Sequence, residues 1–548
     1  MLKVIPLGGL GEVGMNTMVF EHAGRRLLVD CGLMFPRADQ LGVEVVVPDF
    51  SWLKASDAGL DGVVLTHAHE DHLGALPWLL RELNVPVWGT PFTLALARHR
   101  LEEAGLDADL REIGPRTPFH VGEEFQVEAL RVTHSVPDAV GLFVRTRSAT
   151  AVHTGDFKLD GMPIDGQLTD LERLGELGEE GVDLLLSDST NAEVEGTTPS
   201  EQLVRETFRR VSEGVKGRLV VTLFGSHLHR VAHLIELGRE RGRKVLLLGR
   251  SLQRNVRLAQ SVGIFEKQDD VLVPFEAAPA IPRDKLLIVA TGAQAEVKSA
   301  LNGLMAAEPG PLRLEPGDTV IVSARAIPGN EPMVSAMVNR LLARGMEVIT
   351  PRNEPGVHVS GHAARDEQQR VLEVVKPRGF VPIHGELHQL HAHRALARKA
   401  GFGDERTLVA TDGDIIAVGA EGLSTLGRVP VGQHLMRREG VAPVSEQAMA
   451  ERRWLAESGA VIAVVVLQVG SGKVLHGPVL QSHALGGEEA AALALATESV
   501  RTQLAELSEA MRADDARVRE EIIRGARRVF KQLFGSRPTI VPIVVRIP

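Results

Sequence analysis

A short run of metal-binding residue types constrains this chain more than any other feature. Four candidate ligands stand within six positions: His67, His69, Asp71 and His72. The segment DGVVLTHAH predicts a buried strand leading into this run, and GALPWLLREL predicts a helix after it. Imidazole and carboxylate are the donors that a borderline divalent ion prefers. Because one tetrahedral ion cannot take four ligands from one tight loop, the run favours two adjacent ions completed by distant residues.

The completing ligands are expected at the ends of other predicted strands. His134 in RVTHSVPD and Asp156 in HTGDF stand at such ends. Alone, a histidine or aspartate there is more often a turn or capping residue. Beside the metal-binding run, both become candidate ligands, and the two carboxylate oxygens of Asp156 suit it to bridge two cations. Asp30 ends the apolar segment RRLLV and could orient a ligand histidine through its other ring nitrogen, unless it is only a solvated strand end.

Composition narrows the chemistry and the compartment. The single cysteine, Cys31, excludes an intrachain disulfide and a cysteine-rich zinc cluster, so a metal site must use the 20 histidines with Asp or Glu. The segment MLKVIPLGG has no basic region followed by an apolar stretch, so no secretory signal is expected. No window of about 18 uninterrupted apolar residues predicts a membrane span. A cytoplasmic location without a membrane partner is expected.

The charge distribution leaves two interpretations open. The net charge of −10 argues against a nucleic-acid partner. Residues 201–260, however, hold 13 Lys and Arg against five Asp and Glu. This basic segment could be a local footprint for phosphates. It could equally be the solvated faces of two amphipathic helices.

A glycine-rich segment near the start offers a competing interpretation. Gly9, Gly11 and Gly14 match the pattern G-x-G-x-x-G after a predicted strand, with Asp30 downstream. A dinucleotide site would require a helix to open there. The following segment NTMVFEHAGRRLLVD instead alternates like a hairpin. The glycines are therefore expected to shape a loop beside the metal site.

The length of 548 residues suggests about three domains. The first part alternates strands, turns and helices, which is typical of an α/β layered fold. From about Pro199 a regular strand–helix alternation predicts a parallel sheet. The last hundred residues predict two strands, long helices over 491–533 and a final strand, a small α+β module.

The ordered motifs resemble a known family. The run from His67 to His72, together with His134 and Asp156, resembles the metallo-β-lactamase superfamily. Asp188 in LLLSDST, His362 in HVSGHA and His384 in PIHGE resemble motifs A, B and C of the β-CASP nucleases. With its opening GGLGEVGMN and a small C-terminal domain, the chain resembles the bacterial ribonuclease J family nearly end to end.

The resemblance implies a fold and its domains. The expected fold class is α/β, a metallo-β-lactamase αββα sandwich with an inserted β-CASP α/β domain and a small C-terminal α+β domain. The lactamase-like domain is then residues 1–198 and 349–425. The β-CASP domain is 199–348, a linker covers 426–447, and the C-terminal domain is 448–548.

The resemblance also implies a metal centre. His67, His69 and His134 would hold one ion, Asp71, His72 and His384 the other, and Asp156 would bridge them. Zinc and manganese both suit this ligand set. Asp71 or Asp156 would accept a proton from the attacking water. His362, with Asp188 as a further catalytic residue, would stabilise the transition state or protonate the leaving oxygen.

The implied activity is a metal-dependent ribonuclease with 5′→3′ exonuclease and endonuclease action in the maturation and decay of rRNA and mRNA. A histidine at motif C, here His384, favours RNA over DNA. Single-stranded RNA with a 5′-monophosphate is the expected substrate, and a homodimer through the C-terminal domain the expected assembly. A phosphate pocket is expected from Ser226, Arg230, His358, Ser360, Gly361 and His362. For Ser226, helix capping is the alternative.

Three other functions compete with this one. A small-molecule hydrolase of the same superfamily, such as a thioesterase or lactamase, would not need the inserted basic region. A DNA nuclease is disfavoured by His384. A non-catalytic scaffold would be expected to lack metal ligands, whereas every expected ligand is present here.

Overall fold

A computed structural model describes the chain except for residues 38, 56, 267, 269, 307–309, 328, 420–421, 438–441, 486–488 and 536. The chain forms two compact units. The large unit comprises Met1–Pro36 and Glu44–Val441, and the small unit comprises Arg37–Val43 and Ala442–Pro548. Residues 438–441 of the predicted linker lie outside the described residues.

The strands of the large unit are β1 (Leu2–Gly8), β2 (Leu10–Gly11), β3 (Thr17–His22), β4 (Arg25–Val29), β5 (Val45–Pro48), β6 (Gly59–Val64), β7 (Val87–Gly89), β8 (Leu110–Glu112), β9 (Phe119–Val121), β10 (Phe125–Arg131), β11 (Val140–Arg145), β12 (Thr150–His153), β13 (Leu184–Asp188), β14 (Leu219–Thr222), β15 (Lys244–Leu248), β16 (Leu286–Ala290), β17 (Thr319–Val322), β18 (Glu347–Ile349), β19 (Gly379–Ile383), β20 (Gly385–Glu386), β21 (Asp414–Gly419), β22 (Gly422–Arg428) and β23 (Gln433–Met436).

Its helices are α1 (Ser51–Ala55), α2 (Glu70–Leu73), α3 (Leu76–Glu82), α4 (Pro91–Glu103), α5 (Leu171–Glu180), α6 (Glu201–Val211), α7 (Leu228–Glu240), α8 (Arg250–Ser261), α9 (Ala300–Leu304), α10 (Glu331–Ala343), α11 (Arg365–Val375) and α12 (Leu387–Lys399). Short 3-10 helices occupy Phe275–Ala280, Arg283–Lys285, Pro355–Val357 and Asp404–Arg406.

Two sheets pack face to face in the large unit. One has the strand order β22-β21-β1-β3-β4-β6-β7-β8, and the other β19-β13-β12-β11-β10-β9. Strand β1 shows why they form a sandwich: Leu2 and Val4 face the core between the sheets, whereas Ile5 and Leu7 face the core under the helices. Because successive side chains of a strand point to opposite faces, a strand buried on both faces reads as a continuous apolar run. Helices cover both outer faces, which confirms the predicted α/β class.

A second α/β layer is formed by residues that stand, in the sequence, between the two segments that form this sandwich. Its five parallel strands have the order β15-β16-β14-β17-β18. Leu219 and Val221 of β14 pack with residues of α7 and α8, and Val220 packs on the opposite face with residues of α9 and α10. The strand–helix alternation predicted from about residue 199 is confirmed by this parallel sheet.

The glycine-rich segment does not open a helix. It contains the two-residue strand β2, which pairs in parallel with β20 directly after His384, and it is followed by β3. Gly9, Gly11 and Gly14 all have positive φ angles, between 85° and 119°, which glycine adopts without a steric penalty. The structure therefore argues against a dinucleotide site and places this loop beside motif C.

The small unit is an α+β module. Its elements are α13 (Glu446–Ser458), β24 (Ala460–Gln468), β25 (Val474–His483), α14 (Glu489–Glu506), α15 (Glu509–Ala513), α16 (Asp515–Phe534) and β26 (Thr539–Ile547). The sheet has the order β25-β24-β26, and α14 and α16 bury one of its faces. Among the described residues of the whole chain, no helix combines the length and apolarity needed to cross a bilayer.

Candidate metal centre

Six strand ends meet at one edge of the sandwich and supply the candidate ligands. The run His67–His72 follows β6, and Asp30 follows β4. His134, Asp156, Asp188 and His384 stand at or just after the ends of β10, β12, β13 and β19. The carboxyl ends of parallel strands are where ligand sites form in α/β sheets. Asp30 and His384 have φ angles of 61° and 51°, which turn the chain sharply at this edge at a cost in backbone strain.

The loop of the His67–His72 run is fixed by close backbone packing against residues 31–33. The N–H of Cys31 donates to the carbonyl of His72 at 2.7 Å, and that of Leu33 to the carbonyl of Glu70 at 3.0 Å. A Cβ at Gly32 would lie 1.7 Å from the carbonyl oxygen of Asp71. Only glycine therefore permits this approach. The sequence alone does not indicate this requirement.

Three imidazoles form a first donor group. His69 Nδ1 lies 3.1 Å from His67 Nε2 and 3.2 Å from His134 Nε2. Asp156 Oδ2 lies 3.6 and 3.7 Å from the same two Nε2 atoms. A tetrahedral zinc site with Zn–N bonds of about 2.0–2.1 Å requires donor separations of about 3.3–3.4 Å. The spacing and the chemistry of this donor set therefore fit one cation.

A second donor group shares Asp156 with the first. Its members are Asp71, His72, Asp156 and His384, whose ligand atoms all lie within 4.8 Å of one another. His72 Nε2 lies 3.3 Å from Asp156 Oδ2, and His384 Nδ1 lies 2.9 Å from Asp156 Oδ1. The buried Nε2 of His384 has no hydrogen-bond partner among the described residues and lies 3.5 Å from Asp71 Oδ2. The group thus fits a second cation, with Asp156 shared between the two groups.

Electrostatics differ between the two groups. Burial lowers the pKa of His69 to about 4 and holds the pKa values of His67 and His134 well below the ordinary range, so these rings are neutral near pH 7. Burial would also lower the pKa of His72, but Asp156, Asp30 and Asp71 raise it to about 10. The first group thus presents free imidazole lone pairs, and the carboxylates of the second attract positive charge.

Two further side chains orient His72. Asp30 Oδ2 accepts from His72 Nδ1 at 2.7 Å, and the N–H and hydroxyl of Thr66 donate to the same carboxylate at 2.7 and 2.8 Å. Asn16 Nδ2 lies 3.1 Å from His72 Nε2 and donates to the carbonyl of Asp71 at 3.1 Å. Asp30 therefore contacts a candidate ligand, and its orienting role stays a prediction. Asn16 was missed, although it ends the segment GGLGEVGMN on which the family resemblance rested.

An imidazole–carboxylate pair lies beside both groups. His362 Nδ1 lies 2.8 Å from Asp188 Oδ2 and 3.9 Å from Asp156 Oδ2. Burial would lower the pKa of His362, but the Asp188 carboxylate raises it above the ordinary value. The ring can therefore carry a proton while it remains next to the donor groups.

The predicted phosphate pocket comes together only in part. Ser360 Oγ accepts from Asn191 Nδ2 at 2.9 Å, and Gly361 packs so tightly that a Cβ would lie 2.9 Å from His134 Cε1. Ser226 is half-buried, and its hydroxyl makes no hydrogen bond to the described part of the chain. It does not cap α7, whose N-cap is His227.

The prediction that Arg230 binds a phosphate in this pocket is wrong. Its side chain is fully buried, and the guanidinium donates to Glu201, to the carbonyl and hydroxyl of Ser323, to His358 Nδ1 and to the carbonyl of Val359. With its donors engaged inside the protein, Arg230 is not available to a phosphate. It instead fixes the segment that contains His358 and Val359, through hydrogen bonds to His358 Nδ1 and to the carbonyl of Val359.

Replacing Arg230 with alanine is expected to lower the free energy of unfolding by about 3–5 kcal/mol, because Glu201 would remain as an unpaired buried charge. Urea denaturation of the full chain measures this loss. Arg210→Ala removes a surface partner of Glu354 and serves as the control, with an unfolding free energy close to wild type. An equally small effect of Arg230→Ala would show that the ion pair does not stabilise the fold.

Six of the 13 basic residues of the segment 201–260 have acidic partners within the described chain, and three of these partners lie outside the segment. Most of its arginines that lie on or beside α6 and α7 have acidic partners within 4 Å. The pairs are Arg205–Glu236, Arg209–Glu240, Arg210–Glu354, Arg218–Asp318, Arg230–Glu201 and Arg239–Asp270. The three acidic partners outside the segment, Asp270, Asp318 and Glu354, therefore offset only a part of the charge excess seen in the sequence.

Comparisons with known proteins agree with this architecture. Family models match residues 10–234 (metallo-beta-lactamase superfamily), 216–341 (ribonuclease J, beta-CASP domain), 348–409 (Zn-dependent metallo-hydrolase RNA specificity domain) and 447–547 (ribonuclease J C-terminal domain). The chain is 37% identical over 549 residues to Ribonuclease J of Mycobacterium tuberculosis, which covers 100% of this chain and 97% of that protein. The chain belongs to the ribonuclease J family.

Other members of the ribonuclease J family match over similar lengths. Ribonuclease J of Thermus thermophilus is 37% identical, covering 99% of this chain and 95% of its own, and that of Synechocystis is 40% identical, covering 85% and 73%. A solved structure of a protein of unknown function from Enterococcus faecalis V583 aligns with a TM-score of 0.54 and 16% identity, covering 76% of this chain and 99% of its own. That likeness concerns the fold alone.

Family membership confirms the recognition made from the motifs and the predicted fold class. It makes the chain a hydrolase of the nuclease type within the metallo-β-lactamase superfamily. The exact domain boundaries and the roles of the individual site residues stay predictions.

Proposed function

We propose that this protein is a two-metal-ion ribonuclease that hydrolyses single-stranded RNA, with 5′→3′ exonuclease action that prefers a 5′-monophosphate, and with endonuclease action. The observation that carries the proposal is the position of Asp156, which is shared by two histidine-containing donor groups in a ribonuclease J family chain. The family model over residues 348–409, described as an RNA specificity domain, supports RNA as the substrate. A role in RNA maturation and decay belongs to the same proposal, and the cytoplasmic location stays a prediction.

His67, His69 and His134 would hold one divalent cation, Asp71, His72 and His384 the other, and Asp156 both, with zinc or manganese as the metal. Two cations bound there would supply Lewis acidity toward a phosphodiester and toward a water molecule. Asp71, 32% exposed in its side chain, is the carboxylate best placed to accept a proton from that water. His362 would donate its proton to the leaving oxygen, and Asp188, bonded to Nδ1, would keep Nε2 as the exchanging nitrogen.

A 5′-phosphate would contact the segment 358–362 and Ser226. The Ser226 hydroxyl makes no internal hydrogen bond to a described residue, and Gly361 brings the backbone close to His134. Arg230 would act indirectly by fixing His358. A pocket of this kind at the 5′ end supports stepwise degradation from that end.

The test is digestion of 5′-labelled RNA by the full chain with Mn²⁺, Zn²⁺ or EDTA. Cleavage is expected with either metal and is expected to stop in EDTA, because the donor groups have no other chemistry for phosphodiester hydrolysis. RNA with a 5′-hydroxyl is expected to react more slowly than 5′-monophosphorylated RNA. Chelator-resistant cleavage, equal cleavage of single-stranded DNA, or hydrolysis of nitrocefin instead of RNA would each contradict the proposal.

The small unit would form a homodimer through the face of its sheet that lies opposite α14 and α16. Ile462, Val464 and Val466 of β24 lie in register with Val541, Ile543 and Val545 of β26 on that face. Ile543 is 42% exposed. The side chains of β24 on this face are half-buried, and those of β26 are exposed. An aliphatic surface of this kind marks an interaction site. A second copy of the same face is the proposed partner. A two-fold dimer brings the same patch of both subunits together, so that aliphatic side chains pack against aliphatic side chains.

Replacing Ile543 with aspartate is expected to convert a dimer into a monomer, because the new charge would be buried in an apolar interface. Light scattering during gel filtration measures the mass. Val297→Asp, at a site 87% exposed in the large unit, is the control that should leave the dimer intact. A monomeric wild-type chain at micromolar concentration would refute the proposed assembly.

A further inference from the structure

The first turn of α11 contains a buried carboxylate outside the two donor groups. Glu367 is 2% exposed. Its Oε1 accepts the N–H of Leu159 at 2.7 Å, and its Oε2 accepts the N–H groups of Thr198 at 2.6 Å and Ala364 at 2.8 Å. The carboxylate makes these three hydrogen bonds within the described chain, and all three donors are backbone N–H groups. Glu367 therefore connects three separate segments through their main chains.

Each of these segments carries a candidate site residue. Leu159 follows Asp156 by three positions, and Ala364 follows His362 by two. Thr198 lies in the loop after Asp188. The carboxylate thus joins the three loops that present Asp156, Asp188 and His362.

Direct bonds between the loops complete the connection. The Thr198 hydroxyl donates to the carbonyl of His362 at 2.7 Å, and the N–H of Ala363 donates to the carbonyl of Phe157 at 2.6 Å. The neighbouring Gln368, fully buried, donates from Nε2 to the carbonyls of Asp188 at 3.2 Å and Ala363 at 3.1 Å. Glu367 bonds to all three loops, and Gln368 bonds to the loops of Asp188 and His362.

The residue type at position 367 follows from the three donors. An ionised carboxylate only accepts hydrogen bonds, and its two oxygens have room for three N–H groups. The N-terminal end of α11 adds a favourable partial positive charge. A glutamine of the same shape would retain one acceptor oxygen and would turn an NH₂ group toward the N–H of Leu159 or toward those of Thr198 and Ala364. The first orientation would break the bond to Leu159, and the second would break the bonds to Thr198 and Ala364.

We propose that Glu367, with Gln368 beside it, is a positioning residue for the metal centre: it holds the loops of Asp156, Asp188 and His362 at the separations at which their side chains act. Glu367 touches none of the candidate ligand atoms and acts through the main chain. The activity part of this proposal rests on the proposed ribonuclease function, whereas the metal-binding part does not.

The test compares Glu367→Gln, Gln368→Leu and the matched control Glu373→Gln in the full chain. Glu373 lies on the same helix, is exposed, accepts a hydrogen bond from Gln369 and lies 3.8 Å from Arg370. Calorimetric titration of MnCl₂ into the metal-free chain gives affinity and stoichiometry, and labelled 5′-monophosphorylated RNA gives kcat and KM. We expect Glu367→Gln to weaken manganese binding or lower kcat by about 10- to 100-fold, with KM changed much less. Glu373→Gln should match wild type.

The outcomes separate positioning from a merely structural role. A lower melting temperature with unchanged manganese affinity and kcat would overturn the proposal. If Glu367→Gln does not fold, Gln368→Leu decides, since it removes two hydrogen bonds to the same loops without introducing a charge. A folded Gln368→Leu chain with wild-type affinity and kcat would then overturn it. If the wild-type chain does not cleave RNA, the proposed function fails, and the manganese titration alone decides the role of Glu367.

Discussion

Replacing Asp156 with asparagine is expected to reduce RNA cleavage by about 10³-fold or more, because the variant removes the one charge shared by both donor groups. The carboxylate lies within 4 Å of ring nitrogens of His67, His72, His134 and His384. Burial would raise the pKa of Asp156, yet His384 and His72 hold it well below the ordinary value, so it is ionised at neutral pH. Asparagine offers one neutral oxygen, which cannot bridge two cations.

The measurement combines kcat on labelled RNA with manganese stoichiometry from calorimetry. Asp156→Asn should bind fewer than two ions per chain, and added manganese should not restore wild-type kcat. Asp404→Asn, which affects an exposed carboxylate paired with Arg394 and Arg398, is the control for loss of one aspartate. Two bound ions and near-normal kcat in Asp156→Asn would remove the shared-carboxylate arrangement from the mechanism.

Local sequence was enough to predict which residues meet in the core of the candidate site. The run from His67 to His72 is contiguous, and a strand before it with a helix after it already limits where its side chains can point. His134 and Asp156 follow apolar strands, and parallel strands bring such ends to one edge. The family resemblance was needed for His384 and for the division into two donor groups. Spacing alone would not have shown that residue 384 returns to the same edge.

Side chains whose partners are distant backbone groups could not be predicted. Glu367 binds the N–H groups of Leu159, Thr198 and Ala364, and a backbone N–H has no sequence signature. Gly32 is similar, because its role is the close approach of another main-chain segment.

Arg230 shows a different limit of sequence reasoning. Its position near the start of a helix suggested an anion site. The same position suits a buried ion pair, and only the three-dimensional location of Glu201 decides between them. The charge of the basic segment is a related case, since part of it is offset by Asp318 and Glu354, which lie far along the chain.

Replacing His362 with alanine is expected to lower kcat by about 10²- to 10⁴-fold, the range for loss of a general acid or base. Manganese stoichiometry should remain at wild-type level, because His362 is proposed to exchange a proton and not to bind a cation. Asp188→Asn should lower kcat less, by about 10- to 100-fold, since the imidazole remains but loses the carboxylate that orients it. His391→Ala, at an exposed position on α12, is the control.

A modified substrate distinguishes proton donation from other roles of His362. When sulfur replaces the bridging oxygen of the leaving group, the thiolate leaves without being protonated, because a thiol is far more acidic than an alcohol. His362→Ala should then cleave the sulfur-substituted RNA nearly as fast as wild type while remaining slow on normal RNA. An equal deficit on both substrates would assign His362 to transition-state stabilisation, and a loss of one bound manganese ion would make it a ligand. The contact of His362 Nδ1 with Asp188 Oδ2 at 2.8 Å favours the proton-donating role, because it orients the ring and raises its pKa.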